Sequence, residues 1–312
     1  MKLIVFLNLI FVVTSCTFNT GVPEVEPTST SVIPEQLLFD DYQYSSLDEM
    51  MANGWVVRSG YGWPGVTGAL FRPENVSLVE YPGQPGNRLL RMSSSTDGTP
   101  ENTHQTQVCH QRKYLEGTYA ARVRFSDAPV SGLDGDQIVQ TFYTITPYDE
   151  PLNPDYSEMD NEYLPNGGWG GPELSFYVTT WETVQIEPWY ARNSSTSIQG
   201  SQAGWHTLLM QVMDGTVRYF VDGKLVAQHG GEFYPDAPMS INFNLWFIEG
   251  GLMTADGIRE YQEDVDWAFH QANALLMPDE VEAKVAGFRN TSIYFVDTVP
   301  PGDITLPSPC DL

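Results

Sequence analysis

Glu158, Asp160 and Glu162 stand at i, i+2 and i+4 in the stretch Tyr156-Ser157-Glu158-Met159-Asp160-Asn161-Glu162-Tyr163-Leu164. On a β-strand alternate residues share a face, so the three carboxylates project to one side and Met159, Asn161 and Tyr163 to the other. Acidic residues are depleted in strands and like charges on one face repel, so three in register ask for a use. A retaining glycosidase needs two carboxyl groups ~5–5.5 Å apart, one as nucleophile and one as acid/base. The outer pair is roughly 13 Å apart along the backbone, and side chains leaning together across a concave sheet close most of that gap. Asp160, between them, is then the tuner. Crowded carboxyls cannot all ionise freely, so at least one pKa rises. A glutamic acid kept protonated near neutral pH is what general acid catalysis requires. The plainer alternative is an acidic solvated loop in a chain rich in Asp and Glu.

The elements that must hold these residues are strands. From Gln36 onward, short β-like runs alternate with Gly, Pro, Asn and Asp, the pattern of a sandwich or barrel. Ile138 to Tyr143 reads as a strand before the carboxylates, and a Pro-rich loop over Tyr148 to Asp155 leads into them. Asn166-Gly167-Gly168-Trp169-Gly170-Gly171-Pro172 must be a loop. In the next strand Leu174, Phe176 and Val178 take the core face, leaving Ser175, Tyr177, Thr179 and Trp181 for solvent or a cleft. Asp222-Gly223 signals a tight hairpin turn. Met239 to Phe247 alternates again, with Asn244 and Trp246 on the outer face. An indole there can stack on a pyranose while an amide meets its hydroxyls. Near the C-terminus Pro278-Asp279-Glu280 reads as a helix start, with Val281, Val285 and Phe288 on one face.

The 312 residues carry a formal charge of −25, which argues against nucleic acid and anionic membrane surfaces as partners. Residues 1–16 read as a lipoprotein signal peptide: Lys2, an apolar run from Leu3 to Val13, then Val13-Thr14-Ser15-Cys16, in which Cys16 becomes the lipidated residue. Residues 17–36 read as a flexible linker, and residues 37–312 as one domain. The expected location is therefore extracytoplasmic, at the cell surface or in the periplasm, with lipid anchoring through Cys16. Cys109 and Cys310 remain, and an oxidising compartment permits but does not require their pairing.

Glu158-Met159-Asp160-Asn161-Glu162 resembles the E-x-D-x-E signature of glycoside hydrolase family 16, in its lichenase and κ-carrageenase version. Gly117 to Val123, Phe142 to Pro147, Phe220 to Lys224, Asn244-Leu245-Trp246 and Asp266-Trp267 are similar to further segments of that family. The resemblance covers roughly Leu37 to Phe269 and implies an all-β jelly-roll sandwich of the concanavalin A type, with one short C-terminal helix beyond it. It implies Glu158 as nucleophile, Asp160 as the residue hydrogen-bonded to it, and Glu162 as acid/base. Tyr156 is matched to an aromatic lining the cleft, and Asn244 and Trp246 to substrate-binding positions. Tyr177 and Trp181 join them through the alternation of their strand. Asp266 is matched to a side chain that binds a structural calcium in some members. Asn161 departs from the pattern, since the family places an apolar residue there.

The expected function is a retaining endo-hydrolase of a β-linked polysaccharide, needing no cofactor for catalysis and working as a monomer. A transglycosylase uses the same machinery, and a non-catalytic carbohydrate-binding lipoprotein is the rival from another class. Such a binder usually loses a carboxylate, and here all three are present. A sulfated galactan needs cations in the cleft. Only Arg58, Arg72, Arg112 and Lys113 could reach it from loops, so a neutral β-glucan is favoured.

Overall fold

Strands that are apolar on one side can only bury that side against another sheet. The computed structural model describes residues 35–303, 306, 307 and 310, and in it two antiparallel sheets do so. The front sheet runs in the order β12 (Tyr190–Gln199), β11 (Ser175–Gln185), β10 (Glu158–Leu164), β9 (Ile138–Ile145), β16 (Met239–Phe247), β7 (His104–Tyr114) and β2 (Trp55–Val57). The back sheet runs β5 (Val76–Glu80), β6 (Arg88–Thr96), β17 (Arg259–Ala272), β8 (Gly117–Phe125), β13 (Gly204–Met213), β14 (Thr216–Val221) and β15 (Lys224–Gly230). β1 (Leu37–Asp40) adds to the second half of β17, and β18 (Phe295–Asp297) to β1. A small hairpin of β3 (Gly60–Tyr61) and β4 (Leu70–Phe71) lies beside β7. The sandwich is thus the expected all-β jelly roll.

The inner faces meet in one core that includes Met92, Phe142, Met159, Tyr163, Val178 and Phe243. The apolar sets of β11 and β16 read from the sequence supply much of it. Asp222 and Gly223, with φ of 48° and 77°, make the two-residue turn between β14 and β15, a backbone that Gly adopts without strain. The C-terminal helix, α2 (Pro278–Asn290), lays Val281 and Val285 on the outer face of the back sheet against Phe39, Trp267 and Phe269. Phe288 stacks on Phe39 at 4.7 Å. The carboxylate of Glu280 caps the start by accepting the Met277 N–H at 2.7 Å.

Three of the elements that the sequence did not reveal show why. Helix α1 (Leu47–Ala52) is capped by the Ser46 hydroxyl, and the Glu49 carboxylate accepts from the Ser45 N–H; six residues are too short for a periodic signal. β12 is an edge strand whose inward residues Ser194, Thr196 and Ile198 are only half-buried, and of these Ile198 alone is apolar. β7 takes in Arg112 and Lys113, assigned to a loop from sequence. Its polar front residues hide it as a strand, and the chain itself covers them. Cys109 of β7 and Cys310 form a disulfide, the pairing that composition left open. Asn161 is fully buried on the core side of β10. Its amide donates to the Phe142 carbonyl at 3.2 Å while Oδ1 finds no partner, a defect of about 1–3 kcal/mol. The signal segment with Cys16, and residues 17–34 of the linker, lie outside the described residues.

Candidate active site

β10 lies in the middle of the front sheet, with Glu158 opposite Trp181 of β11 and Ile145 of β9, and Glu162 opposite Tyr177 and Thr141. Being laddered on both sides fixes its pleat, so all three acids line one cleft of about 550 Å³. Tyr177 and Trp181 reach it from β11, and Asn244 and Trp246 from β16. The structure thus brings seven of the eight expected catalytic and substrate-binding residues to one cleft.

Tyr156 is the eighth, and its position differs from the expectation. It is buried among Tyr143, Ile145 and Val184, behind residues that line the cleft. The regular strand begins at Glu158, so strand alternation does not govern Tyr156. Its hydroxyl donates to Oε2 of Glu158. Trp181 likewise does more than line the wall: its indole N–H donates to Oδ2 of Asp160 at 2.5 Å. Asp160 and Glu158 also hydrogen-bond each other, which lowers Glu158 and raises Asp160. Among the described residues no group donates to Glu162.

These contacts separate the acids electrostatically. Burial lifts Glu158 to about 7, against the pull of the hydrogen bonds from Tyr156 and Asp160. Burial, then the charge of Glu158, lifts Glu162 to about 8. Asp160 is pushed well above the carboxylate range by burial and by the charges of both neighbours. Close carboxyls titrate as a unit, and the order within this unit follows from the donors. Glu158 is stabilised as an anion and ionises first, while Glu162 keeps its proton.

The floor beside them is poised for hydroxyls. The backbone of Asn244 exchanges hydrogen bonds with the Thr141 hydroxyl at 2.9 and 3.0 Å. Its side-chain Oδ1 is buried without a protein partner, so a ligand donor would satisfy it. Three further tryptophans were missed in the sequence. Trp169 stands 6.0 Å from Tyr177 and 6.2 Å from Trp246, and Trp189 packs edge-on to Trp181 at 6.3 Å. Trp63 lines the cleft from the loop after β3. Trp169 and Trp189 are more than half exposed, at 54% and 59%. Large aromatics in Gly- and Pro-rich loops, too far from any apolar pattern to be core, were the signal that could have found them.

None of the residues lining the cleft is Lys or Arg. Arg58 is buried, donating to Gln107 at 2.7 Å and to the Trp63 carbonyl at 2.8 Å with its guanidinium against the Phe71 ring. Arg112 and Lys113 line a separate hollow, and Arg72 is absent from the cleft.

The residues around Asp266 do not fit calcium. That ion takes six to eight oxygens, whereas Asp266 meets N–H donors: Asn87 at 2.9 Å and Arg289 at 2.8 Å, with the Arg122 guanidinium at 3.7 Å. Arg289 also grips Asp41, so a guanidinium stands where the expectation put a cation. Among the described residues no group of three or more His, Cys, Asp or Glu could hold a metal.

No family model matches the sequence, and no curated protein does. Solved structures do. A β-glucanase of Bacillus licheniformis aligns at 16% identity with a TM-score of 0.55, over 75% of this chain and 97% of that one. A glycoside hydrolase family 16 endo-glucanase from Bacteroides ovatus aligns at 12% identity with a TM-score of 0.57, over 74% and 98%. A laminarinase from Flavobacterium sp. UMI-01 aligns at 15% identity with a TM-score of 0.53, over 74% and 97%. At these identities the likeness is one of fold, and the chain has the jelly-roll fold of the family 16 glycoside hydrolases.

Proposed function

We propose that the protein is a retaining glycoside hydrolase of a β-linked polysaccharide. The observation that carries this reading is the unequal support of the two glutamates. Glu158, held by Tyr156 and by Asp160, is the group that ionises and attacks the anomeric carbon. Glu162, with no donor and a pKa of about 8, delivers its proton to the leaving oxygen. That step forms a bond between Glu158 and the sugar and breaks the glycosidic bond. Glu162, now ionised, takes a proton from water, which attacks the same carbon and frees Glu158. Asp160 carries the shared proton and tunes Glu158.

The substrate is read from the lining. Tryptophans on both walls suit the flat faces of pyranose rings. Four acids line the same cleft, Glu249 with the three on β10, and no cation balances them. A sulfated or uronic chain would be repelled there, and a neutral β-glucan fits. The enzyme is proposed to work outside the cytoplasm, anchored through a lipidated Cys16; the variant Cys16→Ala should leave the membrane fraction, and its equal retention would sink that part. For the activity, purified neutral and sulfated polysaccharides are incubated with wild type and Glu158→Gln, and new reducing ends are counted. Release from a neutral β-glucan by wild type alone is expected. Equal release by the variant would overturn the assignment.

A further inference from the structure

The front sheet is open at one edge and closed at the other. At the open side β12 is an edge strand whose exposed Asn193 and Ser195 face the cleft. At the other side, Gln107 and Cys109 of β7 pair with Asn244 and Asn242 and so share the face of the site. Gln105, one pleat on, shares it too. All three are buried, and chain lies over each. The Gln105 amide donates to the Pro64 carbonyl at 3.2 Å. Gly65 sits so close that a Cβ there would lie 2.2 Å from Gln105 Oε1. Gln107 holds Arg58, which holds the Trp63 carbonyl. Cys109 is bonded to Cys310, with Leu306 packed beside it. From outside, the Thr67 N–H donates to Oε2 of Glu249 at 2.5 Å, tying this loop to the turn after β16.

We infer that the Trp63–Thr67 loop, braced by Arg58 beneath and Glu249 outside, is an end wall that makes the cleft single-ended, so that the site takes a glycan by its terminus. This rests on the glycan reading proposed above and departs from the internal cleavage of an endo-enzyme. Three strand spacings of ~4.8 Å separate β10 from β7, ~14 Å in all, which leaves room for about two pyranose units before the wall. Beyond the acids in the other direction, the lining runs on through Trp189, Asn193 and Ser195 to the exposed edge strand β12. Cleavage then releases one short product of fixed length.

The test separates binding from chemistry. Glu158→Gln is titrated with a linear β-glucan of narrow, known chain length, and the proteins bound per chain are counted by light scattering. A terminus-binding site predicts one protein per chain however long the chain is. A count that grows with chain length overturns the wall. No binding to any glucan would remove the glycan reading, and this inference with it. In wild type, digestion of the same glucan should yield one short product from the first time point; an initial ladder of long fragments would contradict the wall while leaving the glycosidase intact. The doubly substituted Trp63→Ala/Glu249→Ala enzyme, changed only at partly or fully exposed positions, should release longer products. An unchanged profile would show that the loop does not set their length.

Discussion

Two groups of acids, one half-buried around the buried Asp160 and one buried on the back sheet, are built in opposite ways. On the front sheet Glu158, Asp160 and Glu162 crowd together with donors from Tyr156 and Trp181 and no cation. On the back sheet Asp41 and Asp266 are clamped by Arg289, and Asp264 takes a two-pronged bond from Arg91 at 2.7 and 2.9 Å. A buried carboxylate met by a guanidinium stays charged and does structural duty. Carboxyls crowded together in one cleft and met only by neutral donors share protons, which suits chemistry. Sequence reading placed an acid with a role in both regions, and only the partners distinguish the roles.

Removing an acid should therefore have opposite effects in the two places. Glu158→Gln and Glu162→Gln should each lower kcat/KM by ~10³-fold or more with the fold intact, as steady-state rates and circular dichroism would check. Arg289→Ala should leave turnover in place and destabilise the protein by about 2–4 kcal/mol, because Asp41 and Asp266 would face each other unpaired; urea unfolding reads this. Loss of activity without loss of stability in that variant would erase the contrast.

Titration gives a finer distinction. With Glu158 at about 7 and Glu162 at about 8, kcat/KM should be a narrow bell between those values. Glu158 sets its acid limb and Glu162 its alkaline limb. Tyr156→Phe removes a donor that lowers Glu158, so the acid limb should move to higher pH. The same shifts bear on stability. Both folded-state values lie above the ordinary 4.5, so the contribution is fully present below about pH 4.5 and is lost as pH rises through about 7 and then about 8. Glu162→Gln should melt higher than wild type at pH 8.5 and equally at pH 4. The smallest effect is none: chelators should leave the melting temperature unchanged, since Arg289 stands where a calcium was expected.

Much of this was legible because period-two patterning survives in the interior strands. β11 and β16 each carry a clean apolar face, which placed Tyr177, Trp181, Asn244 and Trp246 beside the acids. Legibility failed where a strand's environment is made by distant chain. β7 is polar on its front because Arg58, Pro64 and Cys310 cover it, and β12 has no buried face. Tyr156 was placed by the resemblance alone, which says nothing of its burial or of the hydrogen bond that its hydroxyl gives to Glu158. The surroundings of Asp266 were not legible, because its partner, Arg289, lies on the helix beyond the segments that carried the resemblance.

The central claim is that Glu158 and Glu162 act as nucleophile and acid on one face of β10. It is tested most directly by proton NMR of the first sugar anomer released from a β-glucan. Two displacements at one carbon predict a β product. An α product would contradict the covalent role of Glu158.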